Sequence, residues 1–172
     1  MTSPVARSRA SISAASATSG WRWNGPRDWS QCADRREGFL AAAGTAGAKL
    51  LADTDVEVEK MTIAAGEEAA TAILAAKQRP SAVFCANDLL ALGLEHALIA
   101  AGFRVPEDFA IVGYDDVAFA TMAFVPITSV RQPAYELGHR AALQLLSEAS
   151  EEKHKHEQVV FEPELVVRAS TG

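Results

Sequence analysis

The stretch "FCANDLLALGLEHALIAAG", residues 84–102, joins an apolar run to an Ala/Leu-rich segment. The apolar run predicts a buried strand, and the Ala/Leu-rich segment predicts a helix. Asn87 and Asp88 lie between them, and either side chain could cap the helix because Asn and Asp hydrogen-bond readily to nearby backbone groups. The other side chain would lie at the carboxyl end of a buried strand, where open α/β sheets bind their ligands.

The alternation of strand and helix patterns extends through most of the chain. Strands are predicted at 56–63, 81–86, 109–116, 127–130 and 159–168, and helices at 34–52, 66–78, 88–101 and 133–149. Near-continuous apolar strands are typical of a sheet that is covered on both faces. The pattern therefore predicts an α/β fold with a parallel sheet.

Composition limits the classes of function. The 172 residues are 49% hydrophobic and 22% charged, which is ordinary for a globular protein. The net charge of −6 argues against a broad basic surface that grips nucleic acid. The two cysteines, Cys32 and Cys85, have no metal-ligand spacing and fit a reducing cytoplasm better than a disulfide framework. No apolar run approaches the length of a membrane span.

The first twenty residues are rich in Ser and Ala, with two arginines and no acid. This composition has two interpretations, a transit peptide or a disordered leader without core-forming residues. We favour the disordered leader.

Three polar clusters are expected to meet at one edge of the predicted sheet. Asn87 and Asp88 follow one strand, Asp115 and Asp116 follow the next, and Arg35 or Arg36 begins a helix. Asp accepts hydrogen bonds from hydroxyls, Asn both donates and accepts, and Arg donates through a fixed fork. This set suits a ligand that carries hydroxyl groups, although either aspartate could instead cap the following helix.

Catalysis and metal binding have little support. Adjacent residues on an extended segment point to opposite faces, so Asp115 and Asp116 cannot flank one bond as the carboxylates of a glycosidase do. No serine elbow, dinucleotide loop or phosphate loop occurs. The "HKH" run at 154–156 lacks a third ligand nearby. We therefore expect no enzyme activity, no metal and no cofactor.

A set of ordered motifs identifies a family resemblance. These motifs are "AND" with "ALG", "VPED" with "GYDD", "P-I-TSV" with "QP", "ELG", and "PELVVRAST". Together they closely resemble the effector-binding domain of LacI/GalR-type bacterial transcriptional regulators. The resemblance covers about residues 24–171 and implies a three-layer α/β sandwich of the periplasmic binding protein type I kind, in which two subdomains enclose an effector.

The resemblance implies site residues, each at a position that matches a family motif. Arg35 lies three residues before the Gly-aromatic pair, Asn87 belongs to the "AND" motif, and Asp115 is the first aspartate of "GYDD". In the family these positions hold the hydroxyls of sugars or nucleosides. The cleft aromatic of the family corresponds to Met61, which cannot stack on a sugar face as an aromatic ring does. By this interpretation Asn87 faces the ligand and Asp88 caps the helix.

The resemblance also implies a division of the chain. Residues 1–23 align with nothing in the family, 24–132 form the carboxyl-terminal subdomain, 133–158 belong to the mostly missing amino-terminal subdomain, and 159–172 are closing strands. Operator DNA would be contacted only through a helix-turn-helix domain that this sequence lacks. The family further implies a cytoplasmic homodimer, and the apolar circumference of the helix 88–101 fits a partner on one side.

Two functions from different classes remain in competition. The first is the sugar- or nucleoside-sensing domain of a LacI/GalR-type regulator. The second is a solute-binding protein of a sugar transporter, which would need an export signal. The identity of the effector, its effect on repression and the target operator are not encoded in these motifs.

Overall fold

The computed structural model describes residues 21–26, 29–48, 50–150 and 157–172. Its strands are β1 (Trp21–Asn24), β2 (Leu50–Val56), β3 (Ala82–Cys85), β4 (Ala110–Asp115), β5 (Thr128–Arg131) and β6 (Glu164–Val166). Its α-helices are α1 (Ser30–Thr45), α2 (Ile63–Ala75), α3 (Asp88–Ala100), α4 (Ala118–Thr121) and α5 (Ala134–Ser150), and a 3₁₀ turn (Ala169–Thr171) follows β6.

The described strands form one sheet in the order β2-β1-β3-β4-β5-β6. All neighbouring pairs are parallel except β5 and β6, which are antiparallel. In β4 the first five of six residues are buried, as a strand covered on both faces requires. The predicted α/β fold with a mostly parallel sheet is therefore confirmed.

The start of the fold lies earlier in the chain than we expected. Residues 1–23 were assigned to a leader, but Trp21–Asn24 form β1, which pairs with both β2 and β3. Trp23 is fully buried and its ring lies 5.5 Å from that of Phe84. The boundary at residue 24 is thus too late, while residues 1–20 lie outside the described part of the chain.

The region around α2 differs from the sequence prediction in its boundaries. The alternating residues 56–63 predicted a strand, whereas β2 ends at Val56 and α2 begins at Ile63. Thr62 caps α2 because its hydroxyl accepts a hydrogen bond from the Ala65 amide at 3.2 Å. Because of this cap, α2 begins three residues before Gly66, the predicted start of the helix. The alternating apolar and polar residues of 57–62 therefore belong to a connection and not to a strand.

Helices α2 and α3 touch through two glycines. A β-carbon on Gly93 would lie 1.9 Å from the carbonyl oxygen of Ile63, and one on Gly66 would lie 2.3 Å from that of Leu90. Neither position has room for a side chain, so the two helix backbones approach closely. This contact holds α3 in place, and with it the residues at the start of α3.

Helix α5 is the most exposed of the long helices in the described chain. None of its described residues is buried, and its exposed large apolar side chains are Tyr135, Leu137, Leu143, Leu145 and Leu146. Arg140 and Gln144 bind the side chain and the carbonyl of Glu157. No helix among the described residues combines the length and the apolar character needed to cross a membrane.

We predict that Gly93→Ala lowers the free energy of unfolding by at least about 2 kcal/mol, because the new methyl group forces α2 and α3 apart. The matched control is Gly138→Ala in α5, where an added β-carbon meets nothing within 4 Å. This control should stabilise the helix by about 0.5–1 kcal/mol. Urea denaturation of both variants measures the difference, and equal effects would contradict the close helix contact.

Candidate functional site

The carboxyl ends of β3 and β4 bring three of the predicted residues together. Arg35, on α1, donates one hydrogen bond to the carbonyl oxygen of Ala86 and a second, of 3.2 Å, to Oδ1 of Asp115. Its guanidinium carbon lies 3.8 Å from the centre of the Tyr114 ring. The fork is therefore held by a carbonyl, a carboxylate and an aromatic face, and Arg35 is only 9% exposed.

Asn87 caps α3, which corrects our assignment of the cap to Asp88. Its backbone is extended, and its Oδ1 accepts a hydrogen bond of 2.9 Å from the Leu90 amide. Its Nδ2 donates to the carbonyl oxygen of Met61 at 3.4 Å. The residue directly before a helix is the one whose side chain reaches the free amides of the first turn, so the earlier residue of the pair takes this role.

Asp88 is buried and instead links the beginning of α3 to β5 and to the segment after β4. Its Oδ1 accepts a hydrogen bond of 2.6 Å from the Ser129 hydroxyl, and its Oδ2 accepts one of 2.8 Å from the Val117 amide. A β-carbon on Gly113 would lie 2.1 Å from Oδ1, so glycine is needed there. Burial raises the pKa of Asp88, against the opposing effect of its hydrogen bonds to Ser129 and Val117.

The two carboxylate oxygens of Asp115 differ in their partners within the described part of the chain. Oδ1 accepts hydrogen bonds from Arg35 and, at 2.8 Å, from Nε2 of Gln132. Among the described residues no donor is bonded to Oδ2, and the side chain is 32% exposed. Asp115 thus keeps an accessible acceptor at the edge of the sheet.

Asp116 faces a different set of partners, as the alternation of adjacent residues predicts. Its two oxygens accept hydrogen bonds of 2.6 Å from Arg131 and from Arg168. Both Asp115 and Asp116 have a positive φ, of 101° and 53°, a region that Asp enters more readily than most residues. The turn after β4 therefore directs one carboxylate toward Arg35 and the other toward β5 and β6.

Met61 lies at the same edge and is half-buried. Its carbonyl oxygen accepts the hydrogen bond from Asn87, and its sulfur lies 3.6 Å from the Cys32 thiol. Burial raises the pKa of the Cys32 thiol, and the positive charge of Arg35 offsets this rise only in part. The thiol therefore has little thiolate character. The four residues implied by the resemblance thus form two hydrogen-bonded pairs, Arg35 with Asp115 and Asn87 with Met61.

Three residues that hold the site were not predicted from the sequence. The Tyr114 ring lies against Arg35, Gln132 donates to Asp115, and Ser129 donates to Asp88. Tyr114 belongs to the "GYDD" motif and Gln132 to the "QP" motif, so membership in a motif was the available signal. Ser129 belongs to the "TSV" motif, but a serine within a short strand has many possible environments, so the motif did not predict its contact with Asp88. Within the described residues no cluster of three His, Cys, Asp or Glu side chains could hold a metal, and the "HKH" run lies outside that part of the chain.

Comparison with known protein families agrees with the α/β fold described above. The family described as the periplasmic binding protein-like domain matches residues 15–171. The chain belongs to this family. The match begins ahead of β1 and so agrees with the early start of the fold.

The relatives are transcriptional regulators. The HTH-type transcriptional repressor PurR of Photobacterium profundum is 38% identical over 86% of this chain and 44% of its own length. The HTH-type transcriptional repressor CytR of Escherichia coli is 32% identical over 86% of this chain and 43% of its own. The chain therefore spans less than half the length of these curated relatives.

The solved structures agree with the curated relatives. The transcriptional regulator CelR in complex with cellobiose has a TM-score of 0.80 and 34% identity, over 87% of this chain and 46% of that one. The resemblance to the effector-binding domain of LacI/GalR-type regulators is thus confirmed, and it favours a regulator over a transporter's solute-binding protein.

Asp116 allows a test of the electrostatics of this edge. Burial opposes its ionisation, but the hydrogen bonds from Arg131 and Arg168 hold its pKa below the ordinary value. We predict that Asp116→Ala lowers the free energy of unfolding by about 2–3 kcal/mol at pH 7. Because the folded-state pKa is lowered, this contribution is complete above about pH 4 and is lost as the pH falls through that pKa.

The matched control for Asp116 is Asp108→Ala, which breaks an exposed pair with Arg104. It should cost much less than Asp116→Ala does, because solvent screens an exposed ion pair. Urea titrations at a series of pH values between 7 and 3 measure both variants. A cost for Asp116→Ala that stays constant over this range would show that its carboxylate charge contributes nothing.

Proposed function

We propose that this chain forms most of the carboxyl-terminal subdomain of the effector-sensing part of a LacI/GalR-type transcriptional regulator. In this proposal residues 24–132, together with β1, line one side of an effector cleft. The helix segment 133–158 belongs to the opposite subdomain, and 159–172 return to the first. The bare apolar face of α5 supports this division, because such a face is normally covered by another element.

The observation that carries the proposal is the Oδ2 oxygen of Asp115, to which no residue of the described ranges donates, beside the fixed guanidinium of Arg35. An ionised carboxylate only accepts hydrogen bonds, whereas the guanidinium only donates them. A hydroxyl group can satisfy both at once, since it donates to one and accepts from the other. Neighbouring hydroxyls of a sugar or of a nucleoside ribose fit this pair.

Asn87 and Met61 have more limited roles in the proposed site. The Oδ1 atom of Asn87 accepts the bond of the helix cap and one N–H of its Nδ2 donates to the Met61 carbonyl, so the second N–H of Nδ2 is the group proposed to donate to a ligand oxygen. Met61 offers an apolar side chain at the rim of the cleft. The absence of a reactive nucleophile from this set is consistent with binding rather than catalysis. We propose that the protein is not an enzyme and acts in the cytoplasm.

Two substitutions test the site. Asn87→Ala and Asp115→Ala should each weaken effector binding by about 1–3 kcal/mol, because each leaves a ligand group without its partner. Binding is measured on a chimaeric protein that joins this chain to the amino-terminal portion of the PurR relative. Thermal shift against sugars and nucleosides first identifies an effector, and calorimetry then measures its affinity.

The control for both substitutions is Asp108→Ala, which removes an arginine-paired aspartate from the loop before β4. It should leave the affinity unchanged. If Asn87→Ala and Asp115→Ala also bind the effector as tightly as the parent protein, the site assignment is wrong.

We also propose that the regulator is a homodimer and that the segment 119–124 contributes to its interface. We call Phe119, Met122 and Phe124 the apolar patch; their side chains are 58%, 68% and 78% exposed. The patch lies on and just after α4, and Phe124 contacts the ring of His96 on α3. Clustered aromatic and Met side chains are enriched in protein interfaces.

Sedimentation equilibrium tests the dimer. Phe124→Ser should weaken self-association by about 2 kcal/mol, or roughly thirty-fold, because aromatic side chains contribute strongly to interface energy. The control is Tyr135→Ser on α5, a residue with the same 78% exposure. A larger effect of Tyr135→Ser would place the contact on α5 instead, and a wild-type monomer at tens of micromolar would contradict the dimer.

A further inference from the structure

The turn after β4 carries two adjacent aspartates whose carboxylates have different partners. Asp116 accepts hydrogen bonds of 2.6 Å from Arg131 and from Arg168, one on each oxygen, and its side chain is only 6% exposed. Asp115 accepts from one arginine and from one neutral amide, both on Oδ1, and its side chain is 32% exposed. Asp116 is therefore saturated by its arginines, whereas Asp115 is open to solvent.

The neutral amide belongs to Gln132, the first residue after β5. Its Nε2 lies 2.8 Å from Oδ1 of Asp115, whereas Nη2 of Arg35 lies 3.2 Å from the same oxygen. Gln132 thus makes the shorter of the two contacts. Two donors on one oxygen limit the rotation of the carboxylate, so they limit the position of Oδ2 as well.

The backbone of Asp115 shows why its side chain needs this support. Its φ of 101° lies in a region that residues with a β-carbon rarely adopt. Such conformations persist only where the surrounding contacts hold them. Arg35 also bonds to the Ala86 carbonyl and lies on the Tyr114 ring, so its contact with Asp115 is one of several. A second donor therefore fixes a carboxylate that Arg35 alone holds at the longer distance.

Gln132 is itself held by its surroundings. Its carbonyl oxygen accepts a hydrogen bond of 2.8 Å from the Ala134 amide. Pro133 follows it, and the proline ring limits the backbone φ. On the other side, Arg131 is the ladder partner of Asp115 between β4 and β5. The backbone from which the Gln132 side chain extends is therefore ordered in both directions.

The chemistry of an amide suits this position. An amide N–H donates a hydrogen bond without carrying a positive charge. An arginine here could bond to both oxygens of a carboxylate, because its fork matches that geometry. It would then leave Asp115 as saturated as Asp116. Glutamine instead donates to one oxygen and leaves the second to accept from a hydroxyl.

We propose that Gln132 is a positioning residue for effector recognition. It holds Oδ1 of Asp115 so that Oδ2 faces the effector, and it acts through Asp115 rather than by touching the effector. This inference rests on the proposed function, because it takes Asp115 as the group that binds an effector hydroxyl.

Nuclear magnetic resonance on the full 172-residue chain tests the positioning without an effector. Three-bond coupling constants report whether an aspartate side chain occupies one χ1 rotamer or several. Gln132→Met keeps a side chain of similar length but removes the donor, and it should lower the population ratio of the main Asp115 rotamer to the others about fivefold or more. The main rotamer of Asp116 should not change. The control Arg131→Met should leave the Asp115 rotamer as it is in the parent chain.

Two results of this measurement would overturn the proposal. One is an unchanged Asp115 rotamer in Gln132→Met. The other is equal averaging at Asp115 and Asp116, because Gln132 would then support the turn as a whole. If Gln132→Met does not fold, Gln132→Glu decides by the same comparison, since it replaces the donor with an oxygen in a side chain of the same shape.

Calorimetry on the chimaeric protein tests whether the effect reaches the effector. The probe is whichever of glucose, cellobiose, ribose, adenosine and uridine gives the largest thermal shift. Gln132→Met should weaken its binding about tenfold in the parent protein but less than about twofold in the Asp115→Ala background, because a residue that acts through Asp115 has no effect without it. A tenfold loss in both backgrounds would show direct contact with the effector and overturn the positioning role. If none of these compounds binds, the proposed function is contradicted, while the coupling constants still decide whether Gln132 positions Asp115.

Discussion

The buried carboxylate of Asp88 is the interaction on which the arrangement of this protein depends. It joins the beginning of α3 to the hydroxyl of Ser129 on β5 and to the amide of Val117 after β4. It reaches both because Gly113 has no side chain in its way. Without this contact the beginning of α3 would lose its polar link to β5 and to the segment after β4, and the residues around it would lose their relative positions.

The contact also lies between the two regions of the sheet edge to which we have assigned proposed functions. On one side of Asp88, Asn87 and Asp115 lie with Arg35 above the strand ends, where a ligand is proposed to bind. On the other side, the connection that starts at Val117 leads to the apolar patch. Helix α3 therefore contacts both regions. Its position is set by the close approach of α2 and α3 at Gly66 and Gly93.

Much of the fold and of the candidate site could be predicted from the sequence, for physical reasons that differ between elements. The apolar run of β4 allows only a buried strand, and the "AND" and "GYDD" motifs marked the strand ends at which Arg35, Asn87 and Asp115 meet. The cap of α3 was assigned to Asp88 but belongs to Asn87, because two neighbouring residues with similar hydrogen-bonding groups compete for one cap. The strand at Trp21–Asn24 was missed because its residues match no motif, and β2 was misplaced because an exposed connection can alternate like a strand.

The surroundings of Arg35 have a consequence for how tightly a ligand can be held. Its guanidinium already rests on the Tyr114 ring and bonds to the Ala86 carbonyl, neither of which a ligand would need to displace. The side chain has therefore lost its rotational freedom before any ligand arrives, and binding does not have to order it. Because immobilising such a side chain costs about 0.5–1.5 kcal/mol, a preorganised arginine gives an affinity up to roughly tenfold higher than a mobile one with the same contacts.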